Sequence, residues 1–118
     1  VTPALLAAAF ICAHPGVIDG DTLACRGGQH VRVWGIQAPE RYMETGPAST
    51  RAMAHLIQGH NLTCYRKGRS YNRTVARCFL PDGRDIAREM VNQGQAVDWP
   101  NFSRGYYAVH GATSLGGR

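Results

Sequence analysis

The sequence predicts a mainly β fold with helices, of the α+β class: a five-stranded OB-type Greek-key barrel capped by helices. A small β-sandwich is the other arrangement these elements allow. Three observations lead there. The 118 residues include 14 glycines, and short apolar runs alternate with tight turns. Runs such as His30–Ile36 are rich in β-branched and aromatic residues, as strands are. The order of elements, three strands, a helix, two strands and a helix, suits a barrel closed by helices. The length fits one domain. A hydrophobic content of 44% with 18% charged residues excludes a disordered chain. No apolar run approaches the ~18–20 residues that span a bilayer. The expectation is a monomer with no membrane partner.

Each element has a local reason. Phe10 to Ile18 reads as a strand interrupted at Pro15-Gly16, which marks a bulge or an edge. Asp19-Gly20 is a strong hairpin turn, and Thr22 to Arg26 is its return strand. Gly27-Gly28 turns the chain again. In His30–Ile36, alternation places Arg32, Trp34 and Ile36 on one face. Gln37 to Gly46 is a polar loop. Pro47 suits the first turn of a helix, and Ala48, Met53, Leu56 and Ile57 follow a helical period up to His60. Leu62–Arg66 and Thr74–Leu80 are two strands around a basic turn at Gly68–Asn72. Pro81-Asp82-Gly83 is a type I or II turn. Asp85–Gln93 is a second helix, with Ile86, Met90 and Val91 inward, closed by Gly94. Ala96–Asp98 adds a short strand. The folded unit is expected over residues 10–110. Residues 1–9 read either as the remnant of a signal peptide, with an Ala7-Ala8-Ala9 cleavage pattern, or as a lead-in to the first strand. Residues 111–118 read as a flexible tail.

The four cysteines, at 12, 25, 64 and 78, form no Cys-x-x-Cys spacing that would suggest zinc. Each close pair brackets a predicted turn, so Cys12–Cys25 and Cys64–Cys78 can lie opposite each other on adjacent strands. Four buried thiols are the alternative. Bridged, they imply an oxidising compartment, secreted or periplasmic.

The net charge is +5, from 13 basic and 8 acidic residues. All the basic residues but Lys67 are arginine, whose planar fork engages two phosphate oxygens together. Arg66, Lys67, Arg69, Arg73 and Arg77 crowd one stretch without an acid, interleaved with Tyr65 and Tyr71. Basic groups among aromatic faces suit a nucleic-acid strand; a solvated basic hairpin is the plainer reading. Asp19, Asp21, Glu40 and Glu44 concentrate half the carboxylates near one end. Such a cluster can hold a divalent cation facing an anionic substrate, or can simply serve turns.

Asp19-Gly20-Asp21-Thr22, then Val31-Arg32-Val33-Trp34-Gly35-Ile36 leading into Ala38-Pro39-Glu40, then Ser70-Tyr71-Asn72-Arg73-Thr74-Val75-Ala76, resemble the staphylococcal-nuclease (thermonuclease) family. Asp82-Gly83 and Ile86 to Ala96 resemble that family's second helix and its approach. The likeness is colinear over roughly residues 10–108. Each motif alone is weakly specific; three in order at matching spacing are strongly so. The resemblance implies an OB-fold nuclease that hydrolyses DNA and RNA phosphodiesters with Ca²⁺. It implies Asp21 and the backbone carbonyl of Ala38 as calcium ligands. Glu40 would orient or deprotonate the attacking water, and Arg32 and Arg73 would hold the phosphate.

The chemistry of these residues agrees. Calcium takes hard oxygen ligands, and phosphoryl transfer depends chiefly on cations aimed at developing charge. Asp21 equally suits turn capping and Glu40 a solvated loop. Arg32, inside an apolar strand, has a weaker structural explanation, because burying a lone guanidinium is costly. Tyr71, Arg69, Lys67 and Trp99 are candidate nucleic-acid contacts; Tyr71 and Trp99 also suit ordinary rim aromatics.

Two departures from the family pattern stand out. Gln37 occupies a position where the family has a second calcium-binding Asp; an amide oxygen can still ligate, with one negative charge fewer. Beyond Ala108 the family continues into a long helix, where this chain runs into Gly111–Arg118. A competing reading is a catalytically weak nucleic-acid-binding OB module. A protein-interaction domain fits the retained set of Arg32, Glu40 and Arg73 poorly.

Overall fold

A computed structural model describes residues 9–108. The elements are β1 (Ala9–Cys12), β2 (Gly16–Asp19), β3 (Thr22–Ala24), β4 (His30–Val33), β5 (Ile36–Gln37), α1 (Gly46–Ile57), β6 (Leu62–Ser70), β7 (Arg73–Phe79), α2 (Ile86–Asn92), β8 (Val97–Asp98) and α3 (Pro100–Ser103). Six strands form one sheet in the order β1-β6-β7-β4-β3-β2, and β5 pairs with β8 apart from it. All neighbours in the large sheet are antiparallel except β4 and β7, which run parallel. The architecture is the expected mainly β, α+β one, a curled half-barrel.

The strand count differs from five for a physical reason. The predicted first strand is bent at Ala13–Pro15 into two, one half pairing with β6 and the other with β3. Its halves are therefore the two edges of the sheet, and the sheet must curl to join them. The Arg26 N–H donates to the Ala13 carbonyl at 2.8 Å, and a disulfide links Cys12 to Cys25, so the bend between the two edges is tied to the end of β3. The second disulfide joins Cys64 to Cys78, directly opposite on β6 and β7. Both pairs are those expected.

Other boundaries moved. The basic stretch is strand rather than turn: β6 runs on to Ser70, and only Tyr71 and Asn72 turn. A register shift at Arg66–Gly68 absorbs an extra residue there. The predicted strand His30–Ile36 breaks at Gly35, whose φ of +83° a strand cannot hold. Alternation stops with it, so Ile36 is buried in the core while Arg32 and Trp34 line a cleft. The first helix ends at Ile57 rather than His60. Its fully covered face carries Gly46, Ser49, Met53 and Ile57, with Ala48 and Leu56 half-buried.

The core gathers Leu23, Val31, Val33, Met53, Leu62, Ile86 and Met90. α2 starts on Asp85, which accepts from the Ala87 N–H at 3.0 Å, and ends at Gly94 with φ +74°. Tyr107 lies wholly buried, its ring against Gly35. Its hydroxyl donates to Asp85 at 2.6 Å. The leader and tail expectations fall mostly on residues outside those described.

Candidate active site

Four stretches of chain converge on one end of the sheet. The β2–β3 turn brings Asp19 and Asp21, β4 brings Arg32, β7 brings Arg73, and the β5–α1 loop brings Glu40. The turn can form only around glycine: a Cβ on Gly20 would collide with the Ser49 hydroxyl of α1 and lie 2.8 Å from the Ala38 Cβ. That close approach presses the turn onto the Ala38 backbone, whose N–H donates to Asp21 Oδ2 at 2.8 Å. Thr22 Oγ1 donates to Asp21 Oδ1 at 3.0 Å, so both oxygens of Asp21 are engaged.

Arg32 is buried beside them. Its Nη2 lies 3.3 Å from Asp21 Oδ2, with about a tenth of either side chain exposed. Nη1 donates to the carbonyls of Val33 at 2.6 Å and Ile36 at 2.9 Å. The guanidinium carbon sits 5.1 Å from the Trp99 ring centre. Four contacts thus fix one side chain, and the break at Gly35 supplies one of them by turning the Ile36 carbonyl inward. Arg73, half-buried, donates to Ser70 Oγ at 3.2 Å. Arg32 and Arg73 lie on paired strands: Arg32 stands opposite Val75, two residues along β7 from Arg73.

Together they line a cleft of about 180 Å³ with Arg69, Ser70, Trp34, Trp99 and Phe102. Trp99 and Phe102 meet edge to face at 4.4 Å. The cleft therefore offers three guanidinium groups beside aromatic rings, a lining suited to a phosphate joined to a flat base.

Electrostatics links the acids to this cleft. Burial pushes the Asp21 carboxyl up to about 6, against the pull of Arg32. Burial also works to raise Asp19, but hydrogen bonds from Asp21, Glu40 and Thr22 outweigh it and hold Asp19 below the usual range. Glu40 is raised, first by sharing a hydrogen bond with Asp19, then by burial and by the charge of Asp19; Arg32 and Arg73 oppose this. Burial lowers Arg32, opposed by Asp21. Two carboxyl groups in hydrogen-bond contact hold a proton between them more tightly than either would alone.

The oxygens a hard cation could use are those of Asp19, Asp21 and Glu40, the Ala38 carbonyl and the Gln37 amide. Their chemistry suits calcium, although Thr22, the Ala38 N–H and Arg32 already compete for Asp21. Among the described residues no three His, Cys, Asp or Glu side chains are grouped closely enough to enclose an ion.

Of the residues singled out from sequence, Arg32, Arg73, Arg69 and Trp99 share the cleft, and Asp21 and Glu40 lie at its acidic side. Lys67 stands outside it, with Nζ 4.7 Å from the Trp34 ring. Tyr71 projects from the hairpin tip, 94% exposed. Gln37 and Ala38 line a different hollow, with Thr45, Ala48 and Gly94–Val97. Asp19, which the sequence only groups with Asp21, Glu40 and Glu44 as a cluster able to hold a cation or serve turns, here joins Asp21. Trp34 has no role legible in the sequence, because nothing local shows that Gly35 leaves it at the cleft edge.

Residues 30–108 match the family described as staphylococcal nuclease homologue. A succinoglycan biosynthesis protein, ExoI, of Rhizobium meliloti is 33% identical over 86% of this chain and 59% of its own length. An uncharacterized endonuclease of Haemophilus influenzae is 34% identical over 78% of this chain and 54% of its own. Another of Escherichia coli O157:H7 is 33% identical over 74% and 60%. The chain thus spans little more than half the length of these relatives. With the family matched over most of its residues, this chain belongs to the staphylococcal nuclease homologues.

Proposed function

We propose that the chain is a nuclease domain that hydrolyses phosphodiester bonds of DNA or RNA with little sequence specificity, assisted by Ca²⁺. The observation that carries the reading is one cleft holding Arg32 and Arg73 from paired strands, with Asp21 and Glu40 at its edge. Arg32 and Arg73 would bind the equatorial oxygens of the phosphate and stabilise the charge that grows there. Arg32 is held by Asp21 and two carbonyls, so little reorganisation is needed. Glu40, raised toward neutrality by Asp19, is suited to take a proton from the attacking water. A bound Ca²⁺, held by Asp21 and Asp19 with the Ala38 carbonyl and Gln37, would supply positive charge at the phosphoryl oxygens and at the water. The endonuclease names of two relatives support this reading. The paired cysteines fit a secreted or periplasmic location.

The test is digestion of single-stranded and duplex DNA with Ca²⁺, with chelator, and with Glu40→Gln. Cleavage that requires Ca²⁺ and falls by two orders of magnitude or more in the variant is the expected result. Cleavage that is indifferent to Glu40 would sink the mechanism.

A second reading, a binding module with weak catalysis, draws on Gln37, which lines a hollow apart from the arginine cleft and brings no charge. On the nuclease reading, Gln37→Asp restores one negative ligand charge and lowers the Ca²⁺ needed for half-maximal activity. An unchanged Ca²⁺ requirement would exclude Gln37 from the metal site.

A further inference from the structure

A second surface leads away from the cleft. Along β7, residues alternate between buried and half-exposed, so Arg73, Val75, Arg77 and Phe79 share the outer face. Trp34 lines the cleft on one side and meets this face on the other. Lys67 Nζ lies 4.7 Å from the Trp34 ring centre and the Arg77 guanidinium 6.0 Å. Trp34 and Tyr106 are 6.2 Å apart, centre to centre, and Arg77 lies 4.8 Å from Tyr106. Arg88 of α2 lies 5.7 Å from the Tyr106 ring centre and donates to the Tyr106 carbonyl at 2.6 Å. Cations and rings thus alternate from the cleft to α2.

The charges on this stripe are unequal. Arg77 is paired with the half-buried Asp85 at 3.0 Å, which leaves its guanidinium as a rigid support. Among the described residues no carboxylate pairs with Lys67 or Arg88. Tyr106 is half exposed. The stripe therefore carries two cations without acidic partners beside the exposed Tyr106 ring and the partly buried Trp34 ring. It departs from the cleft that the proposed chemistry uses, and nothing in that chemistry needs it.

We propose that this stripe is a track for single-stranded nucleic acid, on which Trp34 and Tyr106 stack unpaired bases while Lys67 and Arg88 meet phosphates. The proposal rests on the nuclease reading for the identity of the ligand and extends it beyond the scissile phosphate. Lys67 now covers the Trp34 ring, but an exposed cation–ring contact is weaker than base stacking. A base displaces the flexible ammonium, which swings to a phosphate oxygen. Duplex DNA keeps its bases paired and cannot make the stacking contacts. The track therefore favours single strands longer than the cleft alone holds.

The experiment compares binding of oligothymidylates of about 4 and about 12 nucleotides to the full chain in chelator, where cleavage is suppressed. The 12-mer is expected to bind more tightly. Tyr106→Ala should weaken the 12-mer about tenfold and leave the 4-mer within about twofold, with Tyr106→Phe restoring the 12-mer because the ring remains. Arg88→Gln should lower the salt dependence of 12-mer binding by about one ion. Thermal melting of each variant separates loss of contact from loss of fold. Equal affinity for both lengths in the unaltered chain, or equal loss of both in Tyr106→Ala, would overturn the track and leave the cleft intact. Equal binding of a sulfated polysaccharide of matching charge would overturn stacking. Binding of neither oligonucleotide would overturn the track, while cleavage with Ca²⁺ would still decide the nuclease reading on its own.

Discussion

Gly46 offers a test of how the fold holds Glu40 in place. It opens α1 and packs against the loop that carries Glu40; the Met43 N–H donates to the Glu40 carbonyl, and the Gly46 N–H to the Met43 carbonyl. A Cβ added at Gly46 would stand 2.7 Å from the Glu40 carbonyl carbon and 2.8 Å from that of Arg41, and nearer still to the Glu40 oxygen. Ordinary contact begins at 3.4 Å, and with the Glu40 oxygen nearest of all the loop and the helix start must part by well over 0.7 Å. Both sides are backbone, and no side-chain rotation can relieve the clash. Overpacking of this kind costs about 1–3 kcal/mol. A catalytic group displaced by about 1 Å loses up to roughly 100-fold in rate. Gly46→Ala is therefore expected to lower stability by about 2 kcal/mol and kcat by about 10- to 100-fold, with KM nearly unchanged because Arg32 and Arg73 stand on other elements. Urea unfolding and steady-state cleavage of a DNA oligonucleotide measure the two. Gly16→Ala, where a Cβ meets only the Ala24 carbonyl at 3.9 Å, is the control. It should be neutral or slightly stabilising. A Gly46→Ala variant that is destabilised but fully active per folded molecule would refute the claim that this packing positions Glu40.

Further outcomes follow from the same geometry. Asp21→Asn removes the one carboxylate in contact with the buried Arg32 guanidinium. Burial raises the Asp21 carboxyl to about 6 even beside Arg32, so its charge is penalised in the fold. The neutral Asn should therefore leave stability at pH 7 within about 1 kcal/mol of the parent or above it. A loss of about 3 kcal/mol by urea unfolding would mean that the ion pair outweighs burial. Cys64→Ala with Cys78→Ala opens a bridge spanning 14 residues and should cost about 3 kcal/mol. A melting temperature indifferent to this change would show that the bridge is dispensable. Tyr107→Phe deletes the donor to Asp85, which keeps Arg77 and the Ala87 N–H. About 1–2 kcal/mol is expected, read by urea unfolding; no change would place that carboxylate outside the stability of the C-terminal segment.

Local signals accounted for most of the elements. Asp19-Gly20, Pro47, Asp85 and Gly94 act through their own backbone and the next few residues, so a turn, a helix start, a cap and a stop can be read where they stand. The cysteine pairs were legible because each brackets a single hairpin or turn. The helical period found Met53 and Ile57 on the covered face of α1 but not Gly46 and Ser49, positions chosen for closeness rather than for apolar surface.

The sequence by itself determined the class of the fold, favoured the cysteine pairing that forms, and singled out Arg32 and Arg73 from different strands. These follow from short-range rules or from residue types that admit few roles. Only the tertiary structure decided that β1 and β2 are the two edges of one curled sheet, because closure depends on pairings far apart in the chain. It alone decided that Asp19 joins Asp21 and Glu40, since burial and mutual hydrogen bonding arise only once the turn, β4 and the loop are packed together. It alone moved Trp34 to the border between cleft and track. The positive φ of Gly35 is local, but where it sends the chain depends on the Tyr107 ring waiting against it.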